Sequence, residues 1–306
     1  MDSQMELSPG GGSGSGGASG GDQDKSEDAL GSPDESFSDR IMAEYASIRD
    51  DCLEWLNPKP VPAGTRRFPI ILMPFYIGVL VSVFLFDLAL SHLYAVTQGQ
   101  DFLTDLTTRG FNIDVEVLAS LYWGGLVYLT KGTPEVYLTY SFHHFNLAHI
   151  VGNSILLGIA MYLLEERYGA FRLTVLGLAS CFAGSFISYL VYRGENEILA
   201  GASAIAYGYL GAFIGDMILE WEHYRQRLIW VVLLVLGTII SIIIEAVALP
   251  EVSAVAHASG VVTCILASFL ILPGYNLPWY KRIVQGVAGF ILLCEFLIIP
   301  LCIAYA

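Results

Sequence analysis

Five polar residues set in otherwise apolar sequence, Ser203, His257, His149, Asn153 and Tyr207, are of the types that acyl transfer requires. That reaction needs a nucleophile, a base to take its proton, and donors for the oxyanion that develops on the attacked carbonyl. Ser203 is the candidate nucleophile. It opens the run "SAIAYGYLGAFIGD", and a helix beginning there offers free N–H groups and the positive end of its dipole. His257, in "VAHASG", is the candidate general base and acid. No Asp or Glu stands at the same depth beside it, so the pair is a dyad. His149 and Asn153, in "HHFNLAHIVGN", share one helix face and are candidate oxyanion donors. Tyr207, one turn after Ser203, is placed to stack on the imidazole. Each residue alone has a plainer reading. A Ser among Gly and Ala packs helices, a lone His bonds a neighbour's backbone, and an Asn ties two helices together. Their joint fit to one reaction sets them apart.

These residues need elements that hold them in a bilayer. The chain has 306 residues, of which 55% are hydrophobic and 14% charged, with a mean hydropathy of +0.58. Seven runs are long and apolar enough to predict membrane-spanning helices: about 70–95, 146–166, 171–192, 201–219, 228–248, 252–272 and 284–304. The expected class is an all-α polytopic membrane bundle. Residues 1–36 form an acidic Gly/Ser-rich tail expected to be disordered, 37–57 an amphipathic helix ended by "NPKPVP", and 68–306 the membrane domain. No early apolar segment predicts a cleavable signal peptide. Net charge is −14, and residues 1–65 hold thirteen acidic against four basic side chains. That balance excludes nucleic acid as a partner. The five scattered cysteines predict buried free thiols, and neither a metal nor a cofactor is expected.

Lys and Arg set the orientation. With the N-terminus cytoplasmic, twelve fall on the inner side and three (Arg109, Lys131 and Arg193) on the outer, which places the C-terminus outside. The second, fourth and sixth runs then enter from outside. At 1.5 Å per residue their polar groups all lie roughly within 10 Å of the outer surface. The outer stretch "VLASLYWGGLVYL", Val117 to Leu129, is too short to span and is expected to lie in the outer leaflet. Among the other ionisable residues, Asp216 is expected to reach interfacial water, Glu245 to lie near the outer end of the fifth run, and Asp87 and Glu295 to partner polar groups.

From about Tyr128 onward the chain resembles the rhomboid family of intramembrane serine proteases. The resemblance rests on "HxxxN" at His149–Asn153, "EERYG" at Glu165–Gly169, "GASA" at Gly201–Ala204, Tyr207, and "AHASG" at Ala256–Gly260. The extra seventh run and "FAGS" at Phe182–Ser185 are similar to the six-plus-one, secretory-pathway type. The resemblance implies a Ser203–His257 dyad, an oxyanion site at His149 and Asn153, and support from Tyr207, Gly201 and Gly260. It implies substrates that are single-span membrane proteins, cut near the luminal or extracellular end, at the secretory pathway or plasma membrane. The stretch in the first outer loop would be the family's leaflet-embedded hairpin, and the second and fifth runs would flank the substrate's route. The chain departs from the pattern at Ala204 and Cys264, where glycines are usual. It also carries "PEVYLTYSF" where a Trp-Arg pair is usual. These departures keep open an alternative: a catalytically weak or inactive relative that binds transmembrane helices and controls their trafficking or degradation. Oligomeric state is not legible.

Overall fold

The structure is a computed structural model that describes residues 42, 67–121, 124–127, 134–195, 197–224, 227–248, 253–272 and 279–305. The tail, the expected amphipathic helix (Met42 apart) and, in the outer stretch, Tyr122–Trp123 and Tyr128–Leu129 lie outside the described residues. All but Met42 belong to one compact unit, Glu54–Ala306.

Helices dominate. In order they are α1 (Leu72–Thr97), α2 (Phe102–Arg109), α3 (Val115–Ser120), α4 (Val136–Thr139), α5 (Leu147–Tyr168), α6 (Ala170–Val191) and α7 (Ser203–Leu219). Then come α8 (Arg227–Trp230), a π-helical stretch Val231–Leu236, α9 (Gly237–Ala248), α10 (Ala254–Ile271) and α11 (Trp279–Tyr305). Among the described residues α1, α5, α6, α10 and most of α11 are long and apolar enough to cross a membrane, and Ser203–Leu219 and Arg227–Ile243 are shorter apolar helices. Each of the seven apolar runs is therefore a helix, five of them of spanning length. Among the described residues two short strands also pair. Leu126–Val127 (β1) pairs antiparallel with Ile198–Leu199 (β2), Leu126 opposite Leu199. The pairing joins the loop after α3 to the segment leading into Ser203.

The helix ends are read from their residues. Asp101 caps α2 through Thr104 N–H at 3.1 Å, Asp114 caps α3 through Glu116 N–H at 2.9 Å, and Asn146 caps α5 through His149 N–H at 2.9 Å. Ile71 before α1 has no capping side chain. Glu165 of α5 supplies it instead: its carboxylate accepts from the N–H groups of Ile71, Leu72 and Met73 at 2.8, 2.6 and 3.0 Å. α5 ends at Gly169, whose φ of 80° is the left-handed geometry glycine accepts freely, and α6 starts directly after it. Part of the expected outer-leaflet stretch is built: Val117–Ser120 closes α3 and Leu126–Val127 is β1. Leu118 and Leu126 are fully buried, and Arg109 links Asp105 and Asp114 at 3.0 and 2.8 Å.

α7, α10 and α6 pack as the central trio, with α5 and α1 on one side and α11 on the other. α1 and α11 turn side chains such as Phe75, Leu85, Phe290 and Leu293 outward, as expected of lipid-facing helices. Where no hydrophobic force separates helix from lipid, close packing depends on small residues. A Cβ at Gly208, Gly211 or Gly215 of α7 would overlap Ser180, the Val261 backbone or Ser268 respectively.

Candidate active site

α7 begins at Ser203 itself, with Ala202 before it. α10 begins at Ala254, where Ser253 Oγ accepts from Ala256 N–H at 3.3 Å, and His257 follows within its first turn. Close approach of these two helix starts brings Ser203 Oγ and His257 Nε2 to 2.6 Å. The approach needs Gly260, since a Cβ there would lie 2.5 Å from Ala204 O and 2.6 Å from Ser180 Oγ. Ser180 Oγ itself donates to Ala204 O at 2.5 Å, fixing the first turn of α7 to α6. His257 is buried and Ser203 half-buried, so the hydroxyl is the more accessible of the two.

Tyr207 stacks on the His257 ring, with centroids 4.3 Å apart and planes 13° from parallel. Its hydroxyl lies 2.5 Å from Ser241 Oγ of α9.

The loop before Ser203 is pressed against α5. Gly201 has φ 125°, and a Cβ there would lie 2.8 Å from both Cε1 and Nε2 of His149 and 3.5 Å from Asn153 Nδ2. Both the φ and the close approach demand glycine. The amide Nδ2 of Asn153 is buried with no hydrogen-bond partner among the described residues. His149 stacks on Phe145 at 5.7 Å and meets His144 edge-on at 5.0 Å. Gly201 N–H donates to Tyr140 O at 3.0 Å, and Ala202 N–H to His144 Nε2 at 3.4 Å. With Nε2 accepting, the proton of His144 sits on Nδ1 and points at Phe142 O, 3.3 Å away. Burial pushes the His144 imidazole down to about 3, and His149 adds in the same direction. His144 therefore holds the loop as a neutral ring.

The structure thus gathers Ser203, His257, Tyr207, His149, Asn153, Gly201 and Gly260 around one point. The arrangement can do acyl transfer: a hydroxyl on a base, a ring backing that base, and an unpaired buried amide beside the loop that carries the hydroxyl.

The three departures have local accommodation. Ala204 Cβ sits beside Gly184 of α6. Cys264 Sγ donates to Leu176 O at 3.3 Å, in space left by Gly208. The "PEVYLTYSF" segment is anchored on α6 by tyrosines. Tyr140 OH donates to Cys181 O at 3.0 Å, Ser185 Oγ to Tyr137 O at 2.9 Å, and the Tyr137 ring lies 5.2 Å from Phe186.

Other polar residues are paired in ways sequence spacing does not reveal. Asp87 of α1 meets His143 Nδ1 at 2.7 Å, fully buried, and Thr263 Oγ1 donates to Glu295 at 2.7 Å. Asp216 corrects an expectation. It does not reach an interface but is buried, accepting from Tyr224 OH at 2.6 Å with Arg167 Nη1 at 3.5 Å. The Glu245 side chain lies outside the described residues. Cys181 and Cys264 are buried free thiols, while Cys302 is exposed.

Residues 133–274 match the sequence profile of the Rhomboid domain. RHOMBOID-like protein 7 of Arabidopsis thaliana is 28% identical over 177 residues, 58% of this chain and 55% of that protein. RHOMBOID-like protein 6, mitochondrial, of the same plant is 30% identical over 166 residues, 54% of this chain and 52% of that protein. Rhomboid-like protease 1 of Toxoplasma gondii is 31% identical over 86 residues, 28% of this chain and 29% of that protein. The chain spans between 29% and 55% of the length of these three relatives.

Proposed function

Since the chain belongs to the rhomboid family, we propose that it is an intramembrane serine protease that cuts single-span membrane proteins near the outer end of the span. The observation that carries this reading is the 2.6 Å contact between Ser203 Oγ and His257 Nε2. Ser203 Oγ attacks the peptide carbonyl carbon while His257 Nε2 takes the hydroxyl proton. The oxyanion accepts hydrogen bonds from Asn153 Nδ2, from His149 and from the Ser203 amide. On collapse the C–N bond breaks, and His257 returns the proton to the leaving amine. Water then attacks the acyl-enzyme with His257 again as base, freeing Ser203 and a carboxylate. Tyr207 keeps the imidazole in plane through these steps. The unpartnered buried amide of Asn153 beside Gly201 supports the oxyanion assignment.

A helical substrate hides its carbonyls in its own hydrogen bonds, so the segment cut is one that unwinds, with small residues at the scissile bond. The excess of inner Lys and Arg supports a cytoplasmic N-terminus and an outward-facing site, in the secretory pathway or at the plasma membrane. The experiment is incubation of the purified protein with tagged model membrane substrates and a fluorophosphonate probe. Cleavage and labelling that vanish in both Ser203→Ala and His257→Ala are expected. Cleavage that persists in either variant overturns the dyad. Intact protein that neither cuts nor reacts favours the helix-binding alternative.

A further inference from the structure

The fifth apolar helix, formed by α8, the π-helical stretch and α9, turns much of its surface outward. Leu228, Val232, Leu233, Leu236, Ile240 and Val247 are all exposed, from 48 to 81%. Between Leu228 and Ile243 the sequence offers two hydroxyls, Thr238 and Ser241, three apart and so on one face. That face is turned to the bundle: Thr238 is 5% exposed and Ser241 half-buried, against 54% for Ile240 and 56% for Ile243. Thr238 Oγ1 finds no hydrogen-bond partner among the described residues. Ser241 Oγ reaches Tyr207 OH at 2.5 Å. Tyr207 in turn lies flat on His257, and His257 touches Ser203. One chain of contacts therefore runs from the fifth helix to the nucleophile. The π-helical stretch just before Gly237 interrupts the regular bonding of the helix, a feature common where a helix serves a site. In lipid, apolar side chains give little preference for protein over solvent, so a hydroxyl pair across an interface fixes a helix that shape alone does not.

We propose that Ser241 is a positioning residue: through the hydroxyl of Tyr207 it ties the fifth helix to the ring that orients the general base, so displacement of this helix misaligns the dyad. The coupling to catalysis rests on the protease reading; the tether itself does not. Its chemistry is one neutral hydrogen bond, and no covalent step is involved.

The test uses the full chain in nanodiscs with Ser241→Ala, Ser241→Thr, Tyr207→Phe and the Ala/Phe double variant. Hydrogen exchange of residues 231–248 reads the tether without any catalysis. Ser241→Ala is expected to speed that exchange, in the Ser203→Ala background as well, and Ser241→Thr to restore it. Fluorophosphonate labelling of Ser203 reads the dyad. Ser241→Ala is expected to slow it about three- to tenfold, the size of one neutral hydrogen bond. Adding it to Tyr207→Phe should slow labelling no further. On a membrane substrate, kcat falls and KM does not rise. Unchanged exchange in Ser241→Ala overturns the tether. Faster exchange with additive labelling losses overturns the coupling to His257. A wild-type chain that labels with nothing overturns the protease reading, while the exchange experiment still decides the tether.

Discussion

Ala204 and Gly184 share one space: a Cβ at position 184 would lie 2.8 Å from Ala204 Cβ and 2.9 Å from Tyr140 OH. The methyl beside the nucleophile thus fits because α6 has no side chain opposite it. Gly184→Ala is expected to lower stability by about 1–3 kcal/mol, the usual range for overpacking. Ala204→Gly in the same chain should recover part of that loss, the remainder belonging to Tyr140. Thermal unfolding of the single and double variants in detergent checks the pairing. Strictly additive effects would show that the two sites are independent.

Removing the buried amide at Asn153 should strike the reaction rather than the fold. Asn153→Ala is expected to lower kcat by about 10²–10³, as loss of one oxyanion donor does. KM should change little, because the donor acts on charge that exists only in the transition state. Kinetics on a cleaved model substrate give the split, and an unchanged kcat rules Asn153 out as a donor.

Glu165 bonds three N–H groups at the start of α1. Glu165→Ala leaves those donors without their acceptor and is expected to cost about 2 kcal/mol. Glu165→Gln keeps an oxygen but not the charge, and should lie between the two. Exchange rates of the first turn of α1, with the melting temperature, test this. A normal first turn in Glu165→Ala would contradict it.

His144 gives a pH dependence with a fixed sign. Its imidazole is held at about 3 when folded, against an ordinary 6.5. Between those values the unfolded chain binds a proton that the folded chain does not. Stability from this group is therefore complete above pH 6.5 and falls as pH drops towards 3, by up to about 1.4 kcal/mol per unit. Melting curves at about pH 7 and about pH 4.5 should diverge less for His144→Gln than for the parent. Equal divergence would remove His144 from the account.

Much of this site was legible because lipid simplifies sequence. In apolar runs of spanning length, Ser203, His257 and the His149–Asn153 pair stand out as residues that need a reason. Their depths follow from counting along helices. What spacing does not encode is contact between distant segments. Asp87 and His143 are 56 residues apart, and nothing local joins them. Tyr137 and Tyr140 could not be read as the loop's anchors, because their partners are on α6: Tyr140 OH donates to Cys181 O, and Tyr137 O accepts from Ser185 Oγ. Ser241 sits in "TIISIII", where its spacing from Thr238 marks a helix face but not the Tyr207 hydroxyl it meets 34 residues away. Asp216 was misplaced because position along a helix tells depth but not what covers a carboxylate. Tyr224 and Arg167 cover it.

The way α1 begins also fixes an order of events during synthesis. Its first donors bond Glu165, and Phe68 N–H bonds Glu166 O, so the acceptors emerge from the ribosome more than ninety residues after the donors. α1 must enter the bilayer with that end still served by water or headgroups. It reaches its final seat only when α5 has been made and inserted. A helix made before α5 is thus finished only after it.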